Sequence, residues 1–107
     1  MTNPTGAGTV STALPDRAQA RRIAQILLAE KLAACVQLSD IESHYAWKGQ
    51  TMAEPEVMLL AKTRADLFEA AIARIKALHP YDVPEIVAQP FAAGSAPYLA
   101  WIADSTG

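Results

Sequence analysis

Apolar and polar residues alternate with period two through Leu32–Thr63, LAACVQLSDIESHYAWKGQTMAEPEVMLLAKT. That alternation predicts one long β-hairpin turning around Lys48-Gly49-Gln50, and Val36, Tyr45, Trp47 and Val57 suit its pleated surface. The first strand, taken as residues 33–47, would span roughly 50 Å fully extended at about 3.3 Å per residue. A helix over residues 16–32 would cover about 25 Å of it at about 1.5 Å per residue. The strand is therefore expected to bend over the domain or to be covered by another chain. The alternation also changes phase. Ala34, Val36 and Leu38 hold even positions, whereas Ile41, Ser43, Tyr45 and Trp47 hold odd ones. A one-residue slip sends the apolar set to the other face of a sheet, so a β-bulge at Ser39-Asp40 is expected to restore it and to bend the hairpin.

The flanking patterns complete the element list. Thr9–Leu14 reads as a short strand. Asp16 is a helix cap with Gln19 positioned for a capping-box exchange. Ala20, Ile23, Ala24, Leu27, Leu28 and Leu32 make one apolar face with helical spacing. Val57–Ala61 is a continuous apolar run, as in a strand covered on both faces. A second helix is expected from Thr63 or Arg64, burying Phe68, Ala71, Ile72, Ile75 and Leu78. It stops at His79, because the residue before a proline is pushed out of the helical region. Glu85–Phe91 reads as a fourth strand. Ser95 and Pro97 open a short C-terminal helix through Ala103. The order β-α-β-β-α-β-α predicts an α+β, ferredoxin-like βαββαβ sandwich with a long bent hairpin and a short C-terminal helix. Residues 1–8 are expected as a disordered tail and 9–107 as one domain.

Composition narrows the function. The chain is 51% hydrophobic and 19% charged, with net charge −2. A nucleic-acid partner is disfavoured, since phosphate binding calls for a basic face, and the aromatic pattern of the RNA-recognition module of the same element order is absent. No apolar run approaches the length of a membrane span, so no membrane contact is expected. The start, MTNPTGAG, lacks the basic and apolar regions of a signal peptide. With Cys35 the sole cysteine, a cytoplasmic protein is expected.

The inventory for chemistry is small. There is no HExxH, CxxC, G-x-S-x-G or Gly-rich phosphate loop. Cys35 is a small hydrophobe on a strand or a thiolate ligand for a soft metal such as Cu(I). His79 bonds the last helical carbonyls or serves as a metal ligand or proton carrier. His44 reads as a solvated or interface residue, and Met52 and Met58 as core or interface filling. Tyr45, Trp47, Tyr81, Tyr98 and Trp101 are divided among a hairpin tip, a proline-bounded loop and a C-terminal helix, which points to a subunit interface with a cleft. Lys48, Lys62 and Glu85 would supply charge there. Glu54 and Glu56 read as solvated.

These residues carry a resemblance. AEKLAACV (29–36), YAWKG (45–49), LAKT (60–63), HPYDVPEI (79–86) and YLAWI (98–102) resemble, in order and spacing, the CutA family of divalent-cation tolerance proteins. The resemblance covers Thr12 to Ile102. It implies a ferredoxin-like fold, a homotrimer in which hairpins and C-terminal segments pair between subunits, and a role in copper and divalent-metal tolerance; members of that family are not established as enzymes, and with no catalytic constellation in this chain no enzymatic activity is expected. Carried across by motif, Cys35 in LAAC and His79 in HPY are candidate ligands for copper or another divalent metal. Tyr45, Trp47, Lys62, Tyr81, Glu85, Tyr98 and Trp101 would line the intersubunit cleft. Many relatives carry a second cysteine in the first strand, where this chain has Ser11 and Thr12, and Gln50 stands in place of a common lysine. One thiolate and one imidazole fall short of a closed metal site, so weak, exchangeable binding is expected. The alternative is a ligand-sensing trimer like the PII signalling proteins, acting through a protein partner. An enzyme using His79, Glu85 and Lys62 lacks a nucleophile–base pair.

Overall fold

The computed structural model describes residues 4–107. Four strands, β1 (Ala7–Leu14), β2 (Cys35–Trp47), β3 (Gln50–Arg64) and β4 (Ile86–Pro90), form one sheet in the order β2-β3-β1-β4 with every neighbouring pair antiparallel. Three helices, α1 (Arg17–Ala29), α2 (Phe68–Leu78) and α3 (Ala96–Thr106), complete the ferredoxin-like α+β arrangement expected from the sequence. α1 and α2 cover one face. There Ala20, Ile23, Leu27, Ala71 and Ile75 meet Val10, Leu14, Val57, Leu59 and Ala61, all buried. α3 packs on β3 and β1 from the other face, where Lys62 reaches the Tyr98 ring.

Local chemistry sets the helix boundaries. Asp16 caps α1 by accepting the Gln19 amide at 2.8 Å; the Gln19 side chain turns to the same carboxylate instead of closing a capping box. α1 ends at Ala29, three residues before the expected end. Lys31 takes a left-handed conformation (φ 57°), the Leu32 amide bonds Leu27 O and the Lys31 amide bonds Leu28 O, the paired bonds of a Schellman stop. Leu28, assigned to the buried face by spacing, is 44% exposed. The second helix also starts later than expected. β3 runs on to Arg64, pairing it with Ala7, and a 3-10 turn over Ala65–Leu67 intervenes before Phe68. β1 starts at Ala7 instead of Thr9, and the Thr5 hydroxyl donates to Phe91 O at 2.9 Å, so part of the expected tail is hydrogen-bonded to the sheet edge. Residues 1–3 of that tail lie outside the described residues.

The hairpin is as long as its pattern predicts, but the expected bulge is absent. Pairing runs without interruption from Cys35↔Lys62 to Trp47↔Gln50. The turn is Lys48-Gly49, both with positive φ (49° and 78°), the two-residue I′ geometry that keeps strands in register. An unbroken pleat means that the apolar set really does change faces. Val36 and Leu38 lie opposite Ala61 and Leu59 and pack towards the helices. Ile41, Ser43, Tyr45 and Trp47 point the other way. The swap coincides with the end of the cover. Asp40, at the swap, faces the start of α1 and bonds Arg17 at 2.9 Å, and β1 stops at Leu14, opposite Val57. Beyond that point residues 41–47 and 50–56 project as a two-stranded ribbon. Pro55 sits inside this ribbon, where β3 has a neighbour on one side only and a missing amide donor is tolerated.

Candidate functional site

The face of the sheet away from α1 and α2 carries most of the exposed aromatic surface. It holds two groups of residues, one at each end.

The first group surrounds a cleft of about 680 Å³ between the root of the ribbon and the loop Pro80–Glu85. Period two along β2 and β3 puts Tyr45, Trp47, Glu54 and Glu56 on its ribbon wall, and Tyr81, Asp82 and Glu85 rise from the loop. The Tyr81 hydroxyl donates to Glu56 Oε2 at 2.8 Å, tying loop to ribbon. Burial, followed by the Glu56 hydrogen bond and its negative charge, holds the Tyr81 phenol far above its ordinary range. Burial and the neighbouring Glu54 carboxylate push the Tyr45 phenol up as well.

His79 anchors the loop. Its side chain is 9% exposed, Nε2–H donates to Ala13 O at 2.8 Å, and Nδ1 accepts the Tyr81 amide at 3.2 Å. The Tyr81 ring packs at 4.9 Å from the imidazole. Both ring nitrogens are therefore engaged, a use that neither sequence reading of His79 had named. The acceptor carbonyl belongs to β1, not to the helix that precedes the histidine. A metal ligand at His79 would have to give up one of these bonds.

The second group lies near the base of the hairpin. Lys62 Nζ stands 5.7 Å from the Tyr98 ring, and Tyr98 stacks on Trp101 at 5.7 Å. Cys35 pairs across the strand with Lys62 and is half-buried. The seven residues expected to line one cleft are thus split within a single chain. Tyr45, Trp47, Tyr81 and Glu85 meet at the ribbon, whereas Lys62, Tyr98 and Trp101 meet at the far end. The two expected metal ligands are split in the same way. Cys35 is level with Thr9 across the sheet and His79 is bonded to Ala13, four residues along and two strands over, a separation on the order of 15 Å. Among the described residues no three His, Cys, Asp or Glu side chains converge as metal ligands. Glu54 and Glu56, read from sequence as solvated, line the cleft. Their period-two spacing opposite Ser43 and Ile41 was the signal that placed them beside Tyr45.

An antiparallel α+β sandwich with a projecting hairpin, an acidic aromatic cleft at its root and a C-terminal helix on the open face defines a narrow structural class. The sequence profile of the CutA1 divalent ion tolerance protein matches residues 9–105, and the chain belongs to that family. It is 45% identical over 95 residues to the divalent-cation tolerance protein CutA of Thermus thermophilus, covering 88% of this chain and 92% of that one. It is 41% identical to the chloroplastic CutA 1 of Oryza sativa, over 91% of this chain and 55% of the plant protein. Its fold superposes on the periplasmic divalent cation tolerance protein CutA of Archaeoglobus fulgidus with a TM-score of 0.92 at 35% identity, covering 94% and 99% of the two chains. Among the described residues no helix is long and apolar enough to cross a membrane.

Proposed function

We propose that this member of the divalent ion tolerance family acts as a homotrimer that binds copper or another divalent metal weakly and exchangeably, and that it is a binding protein and not an enzyme. The observation that carries the assembly is the ribbon. An isolated two-stranded ribbon is marginal in water, yet this one projects with Trp47 44% exposed, and Trp101 on the same face of the sheet is 45% exposed. Among the described residues the outer edges of β2 and β4 have no strand partner. A neighbour seated on that face would cover both aromatic groups, unite the divided cleft residues and pair an open edge. The separation of Cys35 and His79, and the hydrogen bond that His79 would have to give up to coordinate, support weak metal contact. A shared ion would have to draw ligands from two subunits.

Light scattering at micromolar concentration tests the assembly; a mass of one chain overturns it. Titration of Cu(I) and Cu(II) into the wild type, Cys35→Ser and His79→Ala tests the ligands. The expected affinity is micromolar or weaker and falls in each variant, and the fold survives chelation, unlike that of a protein built on its metal. Undiminished affinity in both variants removes the two residues from the site. A second reading, a ligand-sensing trimer of the PII type acting on a protein partner, is favoured by the cleft, whose volume suits a small molecule. Partner capture that depends on a small ligand distinguishes it.

A further inference from the structure

Pairing between β3 and β1 reaches no farther than Val57, across from Leu14, and on its other side Val57 faces Asp40. Beyond this row residues 41–47 of β2 pair with β3 alone among the described residues. The turn therefore stands about 23 Å past the row, at about 3.3 Å per residue. A two-stranded ladder holds its width but twists and bends readily, having no second layer to stiffen it. A swing of about 10° at the row carries the turn sideways by about 4 Å, the spacing of two carbon atoms in contact.

Two hydrogen bonds grip this row from opposite faces. On the helix side, Arg17 at the start of α1 donates to Asp40 Oδ1 at 2.9 Å. On the open side, one residue farther out, the Tyr81 hydroxyl donates to Glu56 Oε2 at 2.8 Å. Among the described residues no other side-chain hydrogen bond joins the root of the ribbon to the rest of the chain; the His44–Glu42 bond lies within the ribbon. The second tie is itself anchored. The Tyr81 amide donates to His79 Nδ1 at 3.2 Å, and His79 Nε2–H donates to Ala13 O in β1 at 2.8 Å. A continuous path of hydrogen bonds thus runs from the central sheet through the loop to the ribbon. The ties differ in strength. Arg17 and Asp40 are solvent-exposed, where ion pairs are weak and screened by salt, whereas Tyr81 is backed by a buried histidine.

We infer that Arg17–Asp40 and Tyr81–Glu56 act as a two-sided clamp that holds the ribbon at one angle to the sheet. Each tie blocks a swing away from its own face, so either one alone leaves one direction open. On the proposed assembly, a ribbon held in place reaches its neighbour already oriented, which lowers the cost of ordering it on association. That consequence rests on the assembly reading, whereas the clamp itself belongs to the single chain.

The test is hydrogen–deuterium exchange of the full-length protein as wild type, Arg17→Met, Tyr81→Phe and the double variant. Amides of residues 41–47 and 50–56 are expected to exchange about twofold faster in Arg17→Met, about fivefold in Tyr81→Phe and at least about tenfold in the double variant. Amides of α1 and β1 should keep their wild-type rates. Ribbon exchange within about twofold of wild type in the double variant overturns the inference, including the case in which a neighbouring subunit alone holds the ribbon. Equal acceleration in α1 and β1 overturns it too, because the loss is then one of general stability. Arg74→Met removes another exposed ion pair, that with Glu30, and should leave the ribbon unchanged. Ribbon acceleration there equal to that of the double variant also overturns the clamp. If the double variant does not fold, Tyr81→Phe carries the same comparison, with an unchanged ribbon overturning the inference. Light scattering of the wild type separates the two readings: a mass of one chain overturns the assembly, and the exchange rates still decide the clamp.

Discussion

At the scale of single residues, the Ala13 carbonyl sets what His79 does. It accepts Nε2–H from an imidazole whose other nitrogen is spent on the Tyr81 amide, so the ring acts first as a strut under the loop. His79→Ala leaves that carbonyl without its partner, and a loss of about 1–3 kcal/mol is expected in urea unfolding. The sequence made the histidine conspicuous through HPYDVPE, yet its partner lies 66 residues away, beyond the reach of any local pattern. Tyr81 supports a second prediction. Its phenol is held neutral by burial and by Glu56, so its folded pKa is raised above the unfolded value of about 10. Below pH 10 this contribution to stability is fully present. As the pH rises past the unfolded value the unfolded chain loses its proton first, and stability falls until the folded value is reached. Phenolate absorbance near 295 nm should show one tyrosine ionising well above the ordinary range. In Tyr81→Phe that step should vanish, and the decline of stability above pH 10 should be shallower. Glu56 escaped the sequence reading because its charge suggested solvent, whereas the cross-strand alternation placed it in the cleft.

At the scale of elements, the four strands and three α-helices were legible from periodicity and capping signals, while the 3-10 turn over Ala65–Leu67, the boundaries and the hairpin's shape depended on tertiary contacts. The phase change at Ser39-Asp40 had two physical solutions, a bulge that keeps one buried face or an unbroken pleat whose buried face swaps. Local sequence does not separate them; the deciding fact is where β1 and α1 stop. Close packing at the other end of β1 yields a sharp prediction. A Cβ on Gly8 would run into the Gln89 carbonyl oxygen and lie 2.7 Å from Phe68 Cζ and 2.8 Å from Pro90 Cα. Two of those three atoms are backbone, so the neighbours have little room to yield. Gly8→Ala is expected to cost about 1–3 kcal/mol or more, as overpacking of a well-filled site does. The same change at exposed Gly49, where no atom lies within 4 Å of the added Cβ, strains only the turn. Thermal melts of the two variants check the contrast, with the larger fall in Tm expected for Gly8→Ala.

At the scale of the whole molecule, the helix-covered half behaves as a finished domain, with its core of Val10, Leu14, Leu59 and Ile75 fully enclosed. The ribbon half has its rings in the open. On the proposed assembly those rings become the seam between chains, and Trp47→Ala is expected to weaken association by a few kcal/mol, as loss of a buried aromatic anchor does. Light scattering over a dilution series reads this directly; an unchanged mass at every concentration would show that Trp47 is no anchor. The sequence displayed the aromatic residues but not their division into two groups, because that division depends on the direction each strand face points. The face swap also bears on how such a hairpin can change length over evolutionary time. Lengthening each strand by one residue inboard of the ribbon would turn Tyr45 and Trp47 to the opposite side, whereas two residues per strand would restore them about 7 Å farther out. Viable insertions and deletions in this arm should therefore come in matched pairs of even size, a parity rule written into the chain by the absence of a bulge.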